Sequence, residues 1–121
     1  MKQFVLIGLG GFLGSILRYA VSSLTQKWFA SFPFGTLSVN LIGSLIIGMI
    51  VGFSVKNDQP TYWFLVMGFC GGFTTFSTFS LDGYHLLKND MWLPFLSYTS
   101  ISLIGGLILC MLGIWLAGKL V

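Results

Sequence analysis

Charge is the scarcest property of this sequence. Its 121 residues include six Lys and Arg, three Asp and no Glu, so 7% are charged. A soluble domain carries about 25%. So few ionised groups cannot solvate a folded surface in water, and lipid must cover most of it. There is one His and there are two Cys, and no His, Cys, Asp and Glu cluster has metal-ligand spacing. No phosphate loop or catalytic triad motif occurs, which excludes the common enzyme classes. The six cations are scattered and form no patch for nucleic acid. Cys70 and Cys110 both fall in apolar stretches and read as packing residues, not as a disulfide.

Hydrophobic residues make up 55% of the chain, and the mean hydropathy is +0.91. They form four stretches, at residues 4–24, 34–55, 62–87 and 94–118. Each is long enough to cross about 30 Å of hydrocarbon at about 1.5 Å per helical residue. The first stretch lacks a cleavage site followed by a soluble region, so it reads as a span and not a signal peptide. Short polar punctuation separates the stretches, at residues 26–33, 56–60 and 88–93. Short connections make consecutive helices antiparallel neighbours, giving one all-α integral membrane domain over residues 1–121. The expected location is the cell membrane, crossed four times.

Orientation follows the Lys and Arg bias. Lys2, Lys56 and Lys119 fall on one side of such a bundle, and Arg18, Lys27 and Lys88 on the other. An even balance gives insertion no preferred direction. Both topologies are then made, which opens the way to an antiparallel homodimer.

Small residues recur four apart: Gly10 and Gly14, Ser44, Gly48 and Gly52, Gly68 and Gly72, Ser102 and Gly106. Such spacing lets helix backbones approach closely in lipid. Polar groups inside spans are costly unless partnered, so they mark the informative positions. Arg18 either snorkels to the interface or forms an electropositive vestibule for anions. Asn40 either bonds a neighbouring helix or offers its NH₂ to a permeating ion. Tyr98, Ser102 and Gly106 share a helical face that is either a polar track or a packing seam.

The densest feature is Gly71-Gly72-Phe73-Thr74-Thr75-Phe76-Ser77-Thr78-Phe79-Ser80. Glycine weakens a helix, and Ser and Thr compete for backbone hydrogen bonds. The third helix is therefore expected to break near its middle, over residues 71–78. Freed backbone groups at membrane depth are tolerated only where they line a cavity or bind an ion. Phe76 and Phe79 share a direction, and the positive edge of an aromatic ring can meet an anion. No carboxylate lies deep in a span except Asp82, which disfavours a proton-coupled pump. Neutral donors and an arginine point to a small anion.

These segments resemble the CrcB/Fluc fluoride channels. The matching runs are Gly10–Tyr19, with its Gly-Gly-Phe-Leu-Gly start, Gly35-Thr36-Leu37-Ser38-Val39-Asn40, and Gly68-Phe69-Cys70-Gly71-Gly72-Phe73-Thr74-Thr75-Phe76-Ser77-Thr78-Phe79. The resemblance covers the whole chain. It implies a dual-topology antiparallel dimer that exports fluoride passively and confers fluoride resistance. It also implies a fluoride pathway through Asn40, Phe76, Phe79, Thr75, Tyr98 and Ser102. The carbonyls of Gly71 and Thr74 from two subunits would hold a structural sodium ion at the dimer centre. Gly106 and Asp82 stand where serine and glutamate are common in that family. The rival readings are a small multidrug-resistance-type exporter and a non-conducting membrane scaffold. The exporter class needs a carboxylate in its first span, where this chain has none.

Overall fold

The computed structural model describes residues 1–53, 55 and 58–120. Lys56, which enters the charge balance, and Asn57 beside it lie outside the described residues, as do Ser54 and Val121. Among the described residues, five helical rods form four spans: α1 (Lys2–Trp28), α2 (Phe34–Gly52), α3 (residues 62–73), α4 (Phe76–Lys88) and α5 (Trp92–Leu120). Helices α3 and α4 are the two halves of the third span. Among the described residues there is no strand. All four spans are long and apolar enough to cross a membrane. The protein is a multi-pass membrane protein.

The outer faces suit lipid. Leu103, Leu107, Met111 and Trp115 repeat every four residues along α5, and each is more than half exposed. Exposed apolar side chains in such numbers would drive aggregation in water but are the expected covering in a bilayer.

Inside, the spans pair tightly: α1 lies along α3, and α2 along α5. Glycine makes both contacts possible. A Cβ on Gly72 would lie 2.5 Å from the Gly11 carbonyl oxygen, and one on Gly48 would collide with the Cys110 carbonyl. With no hydrophobic effect to drive helices together in lipid, this backbone proximity and the dispersion contacts it brings provide the cohesion. Two small apolar clusters complete the interior. Leu37, Leu86 and Tyr98 form one, and Ile50, Val66 and Cys70 form the other. Along α2, Asn40 and Ser44 fall between the two clusters.

Among the boundaries that differ from expectation, three have a local reason. Helix α1 runs on to Trp28, because nothing before the Ser31–Pro33 turn stops it. Helix α5 begins at Trp92, with Pro94 inside its first turn, where a missing N–H leaves no hydrogen bond unmade. The third span breaks over a shorter stretch than residues 71–78. Gly71–Phe73 stays helical, and only Thr74 (φ −84°, ψ 158°) and Thr75 (φ −150°, ψ 118°) are extended.

The turn from α4 to α5 uses a left-handed residue, Asp90 (φ 56°). The Met91 N–H reaches back to the Leu86 carbonyl at 2.9 Å and the Asp90 N–H to Leu87 at 3.0 Å. This paired closure satisfies the end of α4 in very few residues and turns the chain directly into the last span. The tight turn keeps α4 and α5 side by side, and this brings Tyr98 against Phe79.

Candidate functional site

The break opens a groove of about 570 Å³. Its walls include Asn40, Gly71, Thr74, Thr75, Phe76, Phe79 and Ser102. Seven of the residues singled out in the sequence therefore converge in one place.

Asn40 holds the break open. Its Oδ1 accepts from the Thr75 N–H at 2.8 Å, and its Nδ2 donates to the Thr75 carbonyl at 3.1 Å. One side-chain amide thus satisfies both backbone groups of an extended residue, as a neighbouring strand would. It leaves the second Nδ2 hydrogen for another acceptor. Thr75 then starts α4: its Oγ1 accepts from the Thr78 N–H at 3.2 Å, a side-chain N-cap. That Oγ1 also donates to Thr78 Oγ1 at 3.1 Å.

These two diversions have a shared consequence. In a continuous helix the Thr75 N–H would serve the Gly71 carbonyl, and the Thr78 N–H the Thr74 carbonyl. Both donors are turned elsewhere, to Asn40 and to Thr75 Oγ1. Gly71 and Thr74 are thus among the carbonyls that the break releases, and Gly71 is exposed.

Phe76 and Phe79 stand side by side on α4, ring centroids 5.7 Å apart, and Phe76 is 76% exposed. Phe79 backs onto Tyr98 at 5.2 Å. Tyr98 itself is fully buried and does not line the groove. Its hydroxyl donates to Asp82 Oδ2 at 3.2 Å. Ser102 lines the groove, but its hydroxyl donates to the Tyr98 carbonyl at 2.7 Å. The Thr74 hydroxyl likewise serves the Cys70 carbonyl at 2.8 Å. In this arrangement the second Asn40 hydrogen and the aromatic edges stay uncommitted. The hydroxyls become donors to a guest only by rotating off their own helices.

Ser44 and Gly43 escaped the sequence reading as site residues, although Ser44 follows Asn40 by one helical turn. Ser44 donates to the Asn40 carbonyl at 2.7 Å and lines the groove. A Cβ at Gly43 would collide with Thr74 Cγ2, so Gly43 makes room for the break. Gly106 packs against Ser44, with its would-be Cβ 3.3 Å from Ser44 Oγ. The polar side of α5 therefore hands over to α2 at this level.

A second cavity, of about 520 Å³, lies towards the Phe29–Pro33 turn and has Ser22, Thr36, Thr78, Asp82 and His85 in its walls. The hydrogen-bonded hydroxyls of Thr75, in the groove wall, and Thr78, in the cavity wall, stand between the two. Arg18 lines neither cavity. It is half-buried on α1, one turn before Ser22, and has no hydrogen-bond or ion-pair partner among the described residues.

All of the groove residues fall within residues 5–114, which match the family described as "CrcB-like protein, Camphor Resistance (CrcB)". The chain belongs to the CrcB family. Among similar CrcB-type proteins is the "Fluoride-specific ion channel FluC" of Leptospira interrogans serogroup Icterohaemorrhagiae serovar copenhageni (strain Fiocruz L1-130), 42% identical over 123 residues, covering 95% of this chain and 94% of the relative. The protein of the same name from Chlorobium chlorochromatii (strain CaD3) is 46% identical, covering 96% and 95%. That from Methanococcus aeolicus (strain ATCC BAA-1280 / DSM 17508 / OCM 812 / Nankai-3) is 44% identical, covering 93% of each. In this CrcB-family chain the broken span and its clamp are accordingly the centre of interest.

Proposed function

We propose that this CrcB-family chain is a fluoride-selective channel that lets fluoride leave the cell down its gradient. The observation that carries the reading is the convergence of Asn40, Phe76, Phe79 and Thr75 on a groove at a broken membrane helix. The relatives named above are called fluoride-specific ion channels. Fluoride is small and strongly hydrated, so a narrow path must replace its water with fixed donors and then release it. The free Asn40 hydrogen, the Phe76 and Phe79 ring edges, and the rotatable hydroxyls of Thr75 and Ser102 would supply that replacement. The ring edges carry only partial positive charge, which binds an anion without trapping it. Chloride is larger and would leave these donors poorly matched.

The working unit is proposed to be an antiparallel homodimer. The groove, with its released carbonyls, opens onto a surface where Gly71 and Phe76 are exposed. Unpaired backbone at membrane depth cannot face lipid, so something of protein must close it. A second copy in inverted orientation agrees with the balance of Lys and Arg. The carbonyls of Gly71 and Thr74 fit a hard cation such as sodium, which prefers oxygen ligands. Two copies would offer both pairs, and the ion would supply positive charge that holds the broken helices together. Arg18 would stand at the rim of such an assembly and attract anions.

Substitution tests the pathway. F76L and N40A proteins in liposomes are expected to show fluoride efflux lower by about tenfold, equivalent to about 1.4 kcal/mol at the limiting barrier. F76L should assemble as the unaltered protein does. Unaltered flux in both variants would mean that the ion passes elsewhere.

A further inference from the structure

The groove does not end at Asn40. It continues along α2 past Gly43 and Ser44 to Ile47, about 10 Å further at about 1.5 Å per residue. Val66 of α3 packs against Ile47 there, and Met67 lines the same wall. An anion passed from Asn40 into apolar walls alone would find nothing to replace its lost water. Ser44 is the polar side chain that α2 offers on this stretch, one turn and about 6 Å beyond Asn40.

The neighbouring helix gives that hydroxyl unusual room. Helices α2 and α5 ascend together, with Gly106 against Ser44, Cys110 against Gly48 and Ile114 against Gly52. Ser102, one turn before Gly106, therefore shares the level of Asn40. At the next level α5 offers Gly106, which has no side chain to give. A Cβ there would lie 3.3 Å from Ser44 Oγ, its one contact within 4 Å from another helix among the described residues. The Ser44 hydroxyl thus borders a gap.

The hydroxyl is also free to move. It donates to the Asn40 carbonyl at 2.7 Å. That carbonyl also receives the Ser44 N–H within the α-helix, so losing the hydroxyl does not orphan it. Hydrogen bonds to an ion are roughly twice as strong as those between neutral groups, so an arriving anion displaces the carbonyl.

We propose that Ser44 is the station next to Asn40 on the fluoride path, its hydroxyl swinging from the Asn40 carbonyl to the ion in the room that Gly106 leaves. The inference rests on the channel reading. It makes Ser44 a ligand of the ion and Gly106 a positioning residue that acts through it.

Fluoride efflux from liposomes tests this with S44A, G106A and the double variant. Alanine suits a helix interior better than serine, so S44A should elute on size-exclusion chromatography as the unaltered protein does. Its efflux is expected to fall about tenfold, through loss of one donor at the limiting barrier. G106A keeps the hydroxyl but crowds it, and should give a smaller loss. The double variant should flow no slower than S44A, because without the hydroxyl the gap has no effect. Unaltered efflux in either single variant, or losses that simply add in the double variant, would overturn the role of Ser44 while the channel reading stands. No fluoride efflux from the unaltered protein would remove both.

Discussion

Asn40 works at the break as a piece of sheet would. A single side chain answers the N–H and the C=O of Thr75, so the extended backbone is stable in a setting where water cannot help it. Thr75 then acts twice, as the residue being held and as the cap of the helix that follows. This double duty makes its hydroxyl separable from its backbone. T75S keeps an N-cap oxygen, and T75A removes it at a cost of about 1 kcal/mol. Thermal unfolding in detergent should therefore show T75A melting below both T75S and the unaltered protein. Equal melting of T75A and T75S would contradict the cap. The residue scale was the hardest to read in advance. Asn40 and Thr75 are 35 residues apart, and spacing alone left interhelical bonding and ion binding open for Asn40. The structure shows the first, with Nδ2 and Oδ1 both bonded to Thr75. The Tyr98 hydroxyl meets Asp82, a pairing that no local pattern signals.

At the scale of elements, composition was a good guide to where a helix would fail but a poor guide to its extent. Gly71 and Gly72 are weak helix formers, yet they stay helical because the Thr74 N–H still reaches the Cys70 carbonyl at 3.0 Å. Thr74 and Thr75 break because Asn40 and the Thr75 hydroxyl outbid the helix for its own donors. Pro94 was legible as punctuation, but its tolerance in a first turn moved the helix start two residues earlier. The four-residue runs of small residues were more informative. They fall on the α1–α3 and α2–α5 contacts, where added carbon atoms meet backbone. G48L is expected to prevent α2 from docking on α5, giving loss of folded protein on size-exclusion chromatography. The same change at Gly118, whose would-be Cβ meets nothing within 4 Å, should be tolerated. Equal behaviour of the two variants would contradict the tight seam.

At the scale of the whole molecule, the scarcity of charge already required a membrane, and the four helices agree with it. What one chain cannot do is cover its own break. Released backbone carbonyls and the exposed Phe76 line a groove that lipid would otherwise meet. That single inconsistency supports the proposed inverted pair, the cation between its broken helices and a path lined by neutral donors. The account stands or falls on selectivity, because a groove of neutral donors has no reason to exist in an idle scaffold. Liposomes loaded with equal potassium fluoride and potassium chloride, with valinomycin to carry the counter-ion, report both anions through ion-specific electrodes. Rapid fluoride efflux with chloride retained is the predicted result. No fluoride efflux, or chloride leaving as fast as fluoride, would contradict it.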